Sequence, residues 1–249
     1  MTIIYVKTIA AAILGLMAGL AVVYIFNRVP ARWLCDYDEE PSEELKDTSV
    51  QRVKSWPWRW VCAGLFACIS LRLVFTRIHE PPAGYEGLGD QWIQLISQSQ
   101  FALAGIFACW MMMVIAIADH KYMIIPDQFV IMLACSSLGF LPLHEGVLQP
   151  LGGLCLGGGL MLAVALIGRL IYKKDVMGMG DVKLCAAMGL GLGIRGMLFV
   201  LAVAGLGSGF QAAIGLARRK YKKDDAKPLG PWLCGVGIVY IFLIWPFFM

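Results

Sequence analysis

Long apolar runs, separated by short polar breaks, recur along almost the whole chain. A helix needs about 20 apolar residues to cross a bilayer core of roughly 30 Å. The runs that meet or approach this length lie near residues 8–26, 58–76, 97–118, 124–143, 147–171, 184–194, 197–217 and 229–248. This pattern predicts an all-α, polytopic membrane protein of about eight transmembrane helices. The sixth run, CAAMGLGLGI, is short and rich in glycine, so a tilted or re-entrant segment is an alternative for it.

The composition excludes an ordinary soluble protein. Apolar residues make up 59% of the chain and charged residues only 15%, with a mean hydropathy of +0.72. A soluble protein of this length needs more polar side chains to cover its surface. The net charge of +4 is small and concentrated in a few loops, which is typical of topology signals. We therefore expect the lipid bilayer, and no nucleic acid, as the surroundings of this chain.

Lysine and arginine alternate between consecutive loops, and cytoplasmic loops carry the excess of these residues in membrane proteins. The loops assigned to the cytoplasmic side are 27–57, 172–183 and 218–227, which have three or more of these residues each, and 119–123, which has Lys121; of the others, 77–96 and 195–196 have one each and 144–149 has none. Eight spans with both termini outside satisfy the rule at every loop. We divide the chain into an N-terminal membrane region, 1–94, with two spans and a cytoplasmic loop 27–57, and a core region, 95–249.

Two aspartates interrupt the apolar core region on the side predicted to be cytoplasmic. Asp119 follows the run FACWMMMVIAIA, and Asp181 lies in KKDVMGMGDVKL. Two carboxylates that meet at a partly dehydrated membrane edge cannot comfortably both ionise, so one holds a proton. Such a pair is the apparatus of an aspartic protease. Taken singly, Asp119 is also interpretable as a solvated helix-end residue, and Asp181 as a helix N-cap.

The glycines next to Asp181 are the second candidate feature of the site. Gly178 and Gly180 lack side chains, which predicts positive φ angles and close passage of another backbone, such as an extended substrate. The alternative is a flexible linker between two spans.

Three segments together resemble the motifs of the type IV prepilin peptidases, which are GxGD intramembrane aspartyl proteases. They are ADHKYMIIPD, GMGDVKL and KPLGPWL, in that order, and the resemblance covers residues 95–249. It implies an intramembrane aspartyl protease core whose catalytic pair is Asp119 and Asp181, with no metal. The supporting or substrate-binding candidates by position are Gly178, Gly180, Lys183, Pro126, Asp127, Gly230 and Pro231.

Asp127 and Lys183 each allow two interpretations. Asp127 follows Pro126, so it is expected to favour a helix N-terminus electrostatically, with substrate contact as the alternative. Lys183 either stabilises an ionised Asp181 or anchors the helix at the inner face by reaching toward water.

The N-terminal region departs from the family pattern. The segment YIFNRVPARWLC is similar to the approach to the family's first cytoplasmic loop, which usually carries two CxxC pairs, but here Cys35 stands alone. A zinc-binding loop is therefore not expected. Methylation, with S-adenosylmethionine as its cofactor, is expected only if the family's second activity is retained. The loop is acidic instead, which indicates either a solvated connector or a surface that attracts basic leaders.

The resemblance implies a prepilin leader peptidase in the bacterial cytoplasmic (inner) membrane, with its site facing the cytoplasm. Its expected partners are type IV prepilin or pseudopilin precursors, cut after glycine between a basic leader and an apolar helix. The alternative function is a proton- or ion-coupled secondary transporter that uses Asp119 and Asp181. A carrier usually places its acids near the bilayer midplane and in repeated halves, whereas both aspartates here are predicted at one edge.

Overall fold

The computed structural model describes residues 2–35, 40–41, 43–47, 51–76, 90–173, 177–218 and 228–245. Its helices are α1 (Thr2–Arg28), α2 (Glu43–Lys46), α3 (Trp58–Val74), α4 (Asp90–Tyr122), α5 (Asp127–Ser136), α6 (Leu148–Tyr172), α7 (Met179–Ala217) and α8 (Gly230–Val239). Short 3₁₀ turns follow α1 and α5, and a π-helical turn, Tyr240–Ile244, extends α8. The described residues contain no strand, so the all-α prediction is confirmed.

Four helical segments are long and apolar enough to cross a membrane. They are Tyr5–Arg28, Gln98–Tyr122, Leu148–Tyr172 and Met179–Ala217, and two shorter apolar segments are Asp127–Gly139 and Gly230–Ile244. This confirms the polytopic membrane class. The total of eight spans, the placement of both termini outside and the division at residue 94 stay predictions. Most of the acidic stretch at 36–39, the 77–89 segment, the basic cluster at 219–227 and the end of the last predicted span lie outside the described residues.

Helix α7 contains one residue with a non-helical backbone, Gly193, whose φ of 69° and ψ of −176° lie in a region that favours glycine. Beyond Gly193, the ring of Phe199 lies 5.6 Å from that of Tyr240. Further on, the Cα of Gly207 packs directly against the ring of Trp232. The chain therefore runs antiparallel to α8 after Gly193.

Before Gly193 the chain runs in the same direction as α8. Cys185 interacts electrostatically with Cys234, and one turn later the Met188 side chain packs on Gly237. Since the two halves of α7 follow α8 in opposite directions, the chain turns back at Gly193. The break predicted at residues 195–196 therefore falls two residues earlier, and Asp181 lies at the end of α7 that is nearest the start of α8.

Helix α6 lies against the first half of α7 through glycines that allow backbone contact. A Cβ at Gly189 would lie 2.1 Å from the carbonyl oxygen of Gly153, and a Cβ at Gly157 would lie 2.3 Å from the carbonyl oxygen of Cys185. Small residues at helix interfaces allow this close approach in membranes. The outer face of α6 is exposed, as expected for a helix that contacts lipid.

The N-terminal helices form a second antiparallel pair. The Ser70 hydroxyl donates to the carbonyl of Ala11 at 2.7 Å, and Gly19 packs on the backbone of α3 at Ala63. The pair is joined to α4 by the Trp110 indole, which donates to the Ala18 carbonyl at 3.0 Å.

The contact between α6 and α7 yields a stability prediction. We expect Gly189→Ala to lower the free energy of unfolding by about 1–3 kcal/mol, because the new methyl group forces the two backbones apart. Thermal unfolding of the purified variant in one fixed detergent measures the change. Gly159→Ala on α6 is the matched control, because a Cβ there meets nothing within 4 Å. Equal unfolding temperatures for the two variants would contradict the packing.

Candidate active site

The predicted site residues come together where three helices meet. Asp119 lies in the last turn of α4, Asp181 in the first turn of α7, and Gly230 begins α8. Helix α5, which begins at Asp127, packs against both α4 and α7 at the same end. All three motif segments therefore contribute to one end of the bundle, although residues 119 and 230 are more than a hundred positions apart in the chain.

Asp119 is a buried carboxylate, only 5% exposed. Asp119 does lie in the last turn of α4, which ends at Tyr122, but because its side chain is buried, the interpretation of it as a solvated residue is wrong. Its Oδ2 accepts a hydrogen bond from the backbone N–H of Gly230 at 2.8 Å. Free N–H groups at a helix N-terminus favour negative charge, and the start of α8 supplies such a group to Asp119.

The contact with Asp119 requires glycine at position 230, because a side chain there would collide with the carboxylate. A Cβ at position 230 would lie 2.6 Å from Asp119 Oδ2 and 3.0 Å from its carboxyl carbon. Pro231 follows in the first turn of α8, where its missing N–H costs no hydrogen bond. The third motif therefore brings a helix N-terminus directly against the first aspartate.

Asp181 is partly buried and lies near enough to Asp119 for the charge of one carboxyl group to influence the other. Its Oδ1 is buried and accepts no hydrogen bond from the described residues. The N-cap of α7 is Gly178, and Asp181 makes no capping hydrogen bond, so the N-cap interpretation is wrong. Among the described residues, no donor therefore meets this buried oxygen.

Gly178 and Gly180 do not adopt the positive φ angles that the sequence suggested. Gly178 is extended, with φ −69° and ψ 141°, and Gly180 is already part of α7. Gly180 serves close packing instead, because a Cβ there would lie 3.0 Å from the Cβ of Ile125. A side chain at Gly178 would approach Asp181 Oδ2 at 3.8 Å, so this glycine leaves the approach to the carboxylate open.

Lys183 and Asp127 form an ion pair between α7 and α5. The Lys183 Nζ lies 2.7 Å from Asp127 Oδ2 and 3.0 Å from Oδ1. Of the two interpretations of Lys183, the structure shows neither a contact with Asp181 nor a membrane surface; the partner of its ammonium group among the described residues is Asp127. Asp127 is the first residue of α5, after the buried N-cap Pro126, so its position also agrees with the predicted helix N-terminal role.

Two buried thiols beside the carboxylates were not predicted from the sequence. Cys234 lies in the neighbourhood of both Asp119 and Asp181, and Cys185 in that of Asp181. The sequence spacing could have predicted these positions. Cys234 follows Gly230 by four residues and Cys185 follows Asp181 by four, so in a helix each cysteine lies on the same face as the residue that it follows. Both thiols are fully buried.

The geometry suits acid–base chemistry. Two carboxylates share a site that is enclosed by apolar side chains, one of them held by a backbone donor and the other with a free oxygen. Such a pair can hold one proton between its members. It can remove a proton from water while donating one to a carbonyl oxygen.

Comparison with known proteins gives consistent matches. The model of the type IV leader peptidase family matches residues 106–213, which include Asp119 and Asp181. The chain is 26% identical to a prepilin leader peptidase/N-methyltransferase of Aeromonas hydrophila, over 88% of this chain and 73% of the relative. It is 26% identical to the one of Aeromonas salmonicida strain A449, over 80% of this chain and 67% of the relative. It is 29% identical to the one of Dickeya chrysanthemi, over 76% and 66% of the two chains. No solved structure matches this chain.

The ion pair between α5 and α7 is testable by a double-mutant cycle on Lys183→Met and Asp127→Asn. We expect a coupling free energy of up to about 1 kcal/mol, because the side chains are 47% and 23% exposed and water screens the pair. Thermal or denaturant unfolding of the single and double variants gives the coupling. The exposed pair Lys46 and Glu40, 3.8 Å apart, is the control, with coupling near zero. Strictly additive effects at Lys183 and Asp127 would contradict the contact.

Proposed function

We infer that this chain, which belongs to the type IV leader peptidase family and is therefore a peptidase, cleaves pilin-like precursors by aspartic-protease chemistry. The observation that carries the inference is that Asp119, which is buried, and Asp181, which is partly buried, come from separate motifs and lie at the same end of the bundle, near enough for their charges to influence each other. The family assignment favours this function over an ion-coupled transporter.

The two aspartates have different surroundings, and we assign them different roles. Asp119 accepts the Gly230 amide hydrogen bond, which stabilises the ionised form, so Asp119 acts as the base that takes a proton from the attacking water. Asp181, whose Oδ1 has no donor among the described residues, carries the proton that is given to the peptide carbonyl oxygen. Breakdown of the tetrahedral intermediate then requires proton transfer to the leaving amine from the aspartate that took the proton from water.

The substrate proposal follows from the location of the site at one end of a membrane bundle. A precursor with a basic leader and an apolar helix keeps its leader at the cytoplasmic surface and its helix in the lipid. The scissile bond, expected after glycine, then meets the site where the two environments join. We place the site on the cytoplasmic side of the bacterial inner membrane because of the alternation of Lys and Arg between loops.

The chemistry proposed here needs no cofactor. The relatives' name also includes an N-methyltransferase, and the mass of the product separates the two activities. Cleavage alone leaves the unmodified new N-terminus, whereas methylation adds the mass of one methylene group.

We predict that Asp119→Asn and Asp181→Asn each abolish leader removal, because neither amide can exchange the proton that hydrolysis requires. The measurement is cleavage of purified precursors in detergent or vesicles, with mass analysis of the new N-terminus. Glu145→Gln is the control, since Glu145 is an exposed acid that pairs with Arg195 at the other end of the bundle. Full cleavage by either aspartate variant would refute the assignment.

We predict a similar loss for Gly230→Ala, although this variant leaves both carboxylates in place. The added methyl group cannot fit beside Asp119 Oδ2, and a displacement of about 1 Å at a reacting group can cost about 100-fold in rate. The cleavage rate at saturating precursor is the readout. Gly235→Ala on the same helix is the matched control, because its Cβ meets nothing within 4 Å. Normal rates for both variants would show that the contact does not position Asp119.

A further inference from the structure

A cavity of about 330 Å³ lies at the end of the bundle away from the aspartates, where α7 turns back at Gly193. The segment before α6, both halves of α7 and the turn that follows α8 contribute its walls. Gly193 is twelve residues beyond Asp181, which is about 18 Å of helix. The cavity is therefore separate from the candidate active site.

His144 forms one wall of this cavity and is held by the break in α7. Carbonyl groups at the end of a helix lack partners within the helix, and His144 Nε2 donates to the Gly191 carbonyl at 2.9 Å. Because a carbonyl oxygen only accepts, this ring nitrogen carries the hydrogen. Burial lowers the pKa of His144, so the ring is uncharged at pH 7. Among the described residues that line the cavity, Arg195 is therefore the only cation.

Aromatic rings close the inner side of the cavity. The ring of Trp245 lies 5.6 Å from that of His144 and 4.9 Å from that of Phe140, and the ring of Tyr240 lies 5.6 Å from that of Phe199. Trp245 and Tyr240 are both buried, so their faces are covered by neighbouring rings and leave little room for a cation–π contact. The inner side therefore offers an apolar surface that suits hydrocarbon.

Two opposite charges stand together at the edge of this apolar surface. Arg195 Nη1 lies 3.9 Å from Glu145 Oε1, and both side chains are exposed. At this separation the two groups attract each other but form no direct hydrogen bond. Neither side chain forms a hydrogen bond with another described residue. The guanidinium donors and the carboxylate acceptors are therefore available to a ligand that carries both charges.

The cavity lies where membrane-spanning segments begin, which places it near a surface of the bilayer. The segments Gln98–Tyr122 and Leu148–Tyr172 are long and apolar enough to cross a membrane. Gln149, near the start of the second segment, lines the cavity, and Phe101, near the start of the first, lies 5.6 Å from the ring of Trp245. Leu148 beside the cavity is exposed. An exposed apolar side chain at the start of a span contacts lipid, so lipid molecules have direct access to the cavity.

We propose that this cavity binds phosphatidylethanolamine, a phospholipid whose headgroup carries a phosphate and a primary ammonium group, from the surrounding bilayer. Arg195 pairs with the phosphate, and Glu145 accepts hydrogen bonds from the ammonium group, which a short ethylene link joins to the phosphate. The hydrocarbon next to the headgroup lies against Phe199 and Ile244. Phosphatidylcholine has no N–H to donate to Glu145, and phosphatidylglycerol has no cation for it. This binding site does not depend on the proposed peptidase function.

The test measures the binding of three lipids with identical acyl chains to the purified full chain in detergent by native mass spectrometry. We expect phosphatidylethanolamine to bind about 5-fold more tightly than phosphatidylcholine or phosphatidylglycerol, the upper range for one exposed charge pair. Glu145→Gln should remove the preference over phosphatidylcholine, and Arg195→Gln should weaken the binding of phosphatidylethanolamine about 5-fold. Arg59→Gln, at an exposed position near the start of α3, is the matched control and should bind all three lipids like the unchanged protein.

Thermal unfolding gives a second measurement that also shows whether the variants fold. A ligand that binds the folded state raises the unfolding temperature. The unchanged protein and Arg59→Gln should therefore unfold at a higher temperature with added phosphatidylethanolamine than with the same concentration of phosphatidylcholine. This difference should disappear in Glu145→Gln and shrink in Arg195→Gln, while both variants keep a cooperative transition.

Three results would overturn the proposal. Equal binding of phosphatidylethanolamine and phosphatidylcholine by the unchanged protein would indicate an unselective lipid layer. Tightest binding of phosphatidylglycerol would indicate a site for anionic lipids in which Glu145 takes no part. A preference for phosphatidylethanolamine that persists in Glu145→Gln would place the lipid elsewhere on the protein. A selective site that Glu145→Gln abolishes supports the proposal whether or not the chain cleaves a precursor, so the two hypotheses fail separately.

Discussion

A buried carboxylate at the end of an apolar helix is the costly element on which the site depends. Transfer of such a group out of water is unfavourable unless hydrogen-bond donors meet it. The start of α8 meets Asp119 with the Gly230 amide, and only glycine leaves room for that approach. This contact joins the start of α8 to the end of α4, and packing along both halves of α7 holds the rest of the helix in place.

Close packing of α6 and α7, and not a hydrogen bond, holds the second aspartate, Asp181, at the site. Gly153 and Gly157 let α6 lie against the first half of α7, and the turn at Gly193 brings the second half back along α8. Gly180 then fits against Ile125, immediately before α5. Because a methyl group at Gly153 or Gly157 would collide with the backbone of α7, the location of Asp181 depends on residues that carry no functional group.

The N-terminal region contacts this core at two places along the helices. Inside the bundle, the Trp110 indole links α4 to α1. At the end where the aspartates lie, the contacts of Arg52 with carbonyls and of Trp33 with Phe129 keep the first loop against α4 and α5. The described part of this loop is thus held beside α4 and α5 by hydrogen bonds and ring contacts.

The sequence alone determined the class and the approximate helices and pointed to the two aspartates as candidates, because apolar run length, the distribution of Lys and Arg and the three motifs are local properties. It did not determine the partners of those residues. Lys183, interpreted either as a partner of Asp181 or as an anchor at the inner face, pairs with Asp127; Asp181 makes no cap; and the glycines of GMGD have ordinary φ angles, with Gly180 packed against Ile125. These facts depend on which helix faces are opposed, and only the tertiary structure decides that, since contacts such as Asp119 to Gly230 join segments far apart in the chain.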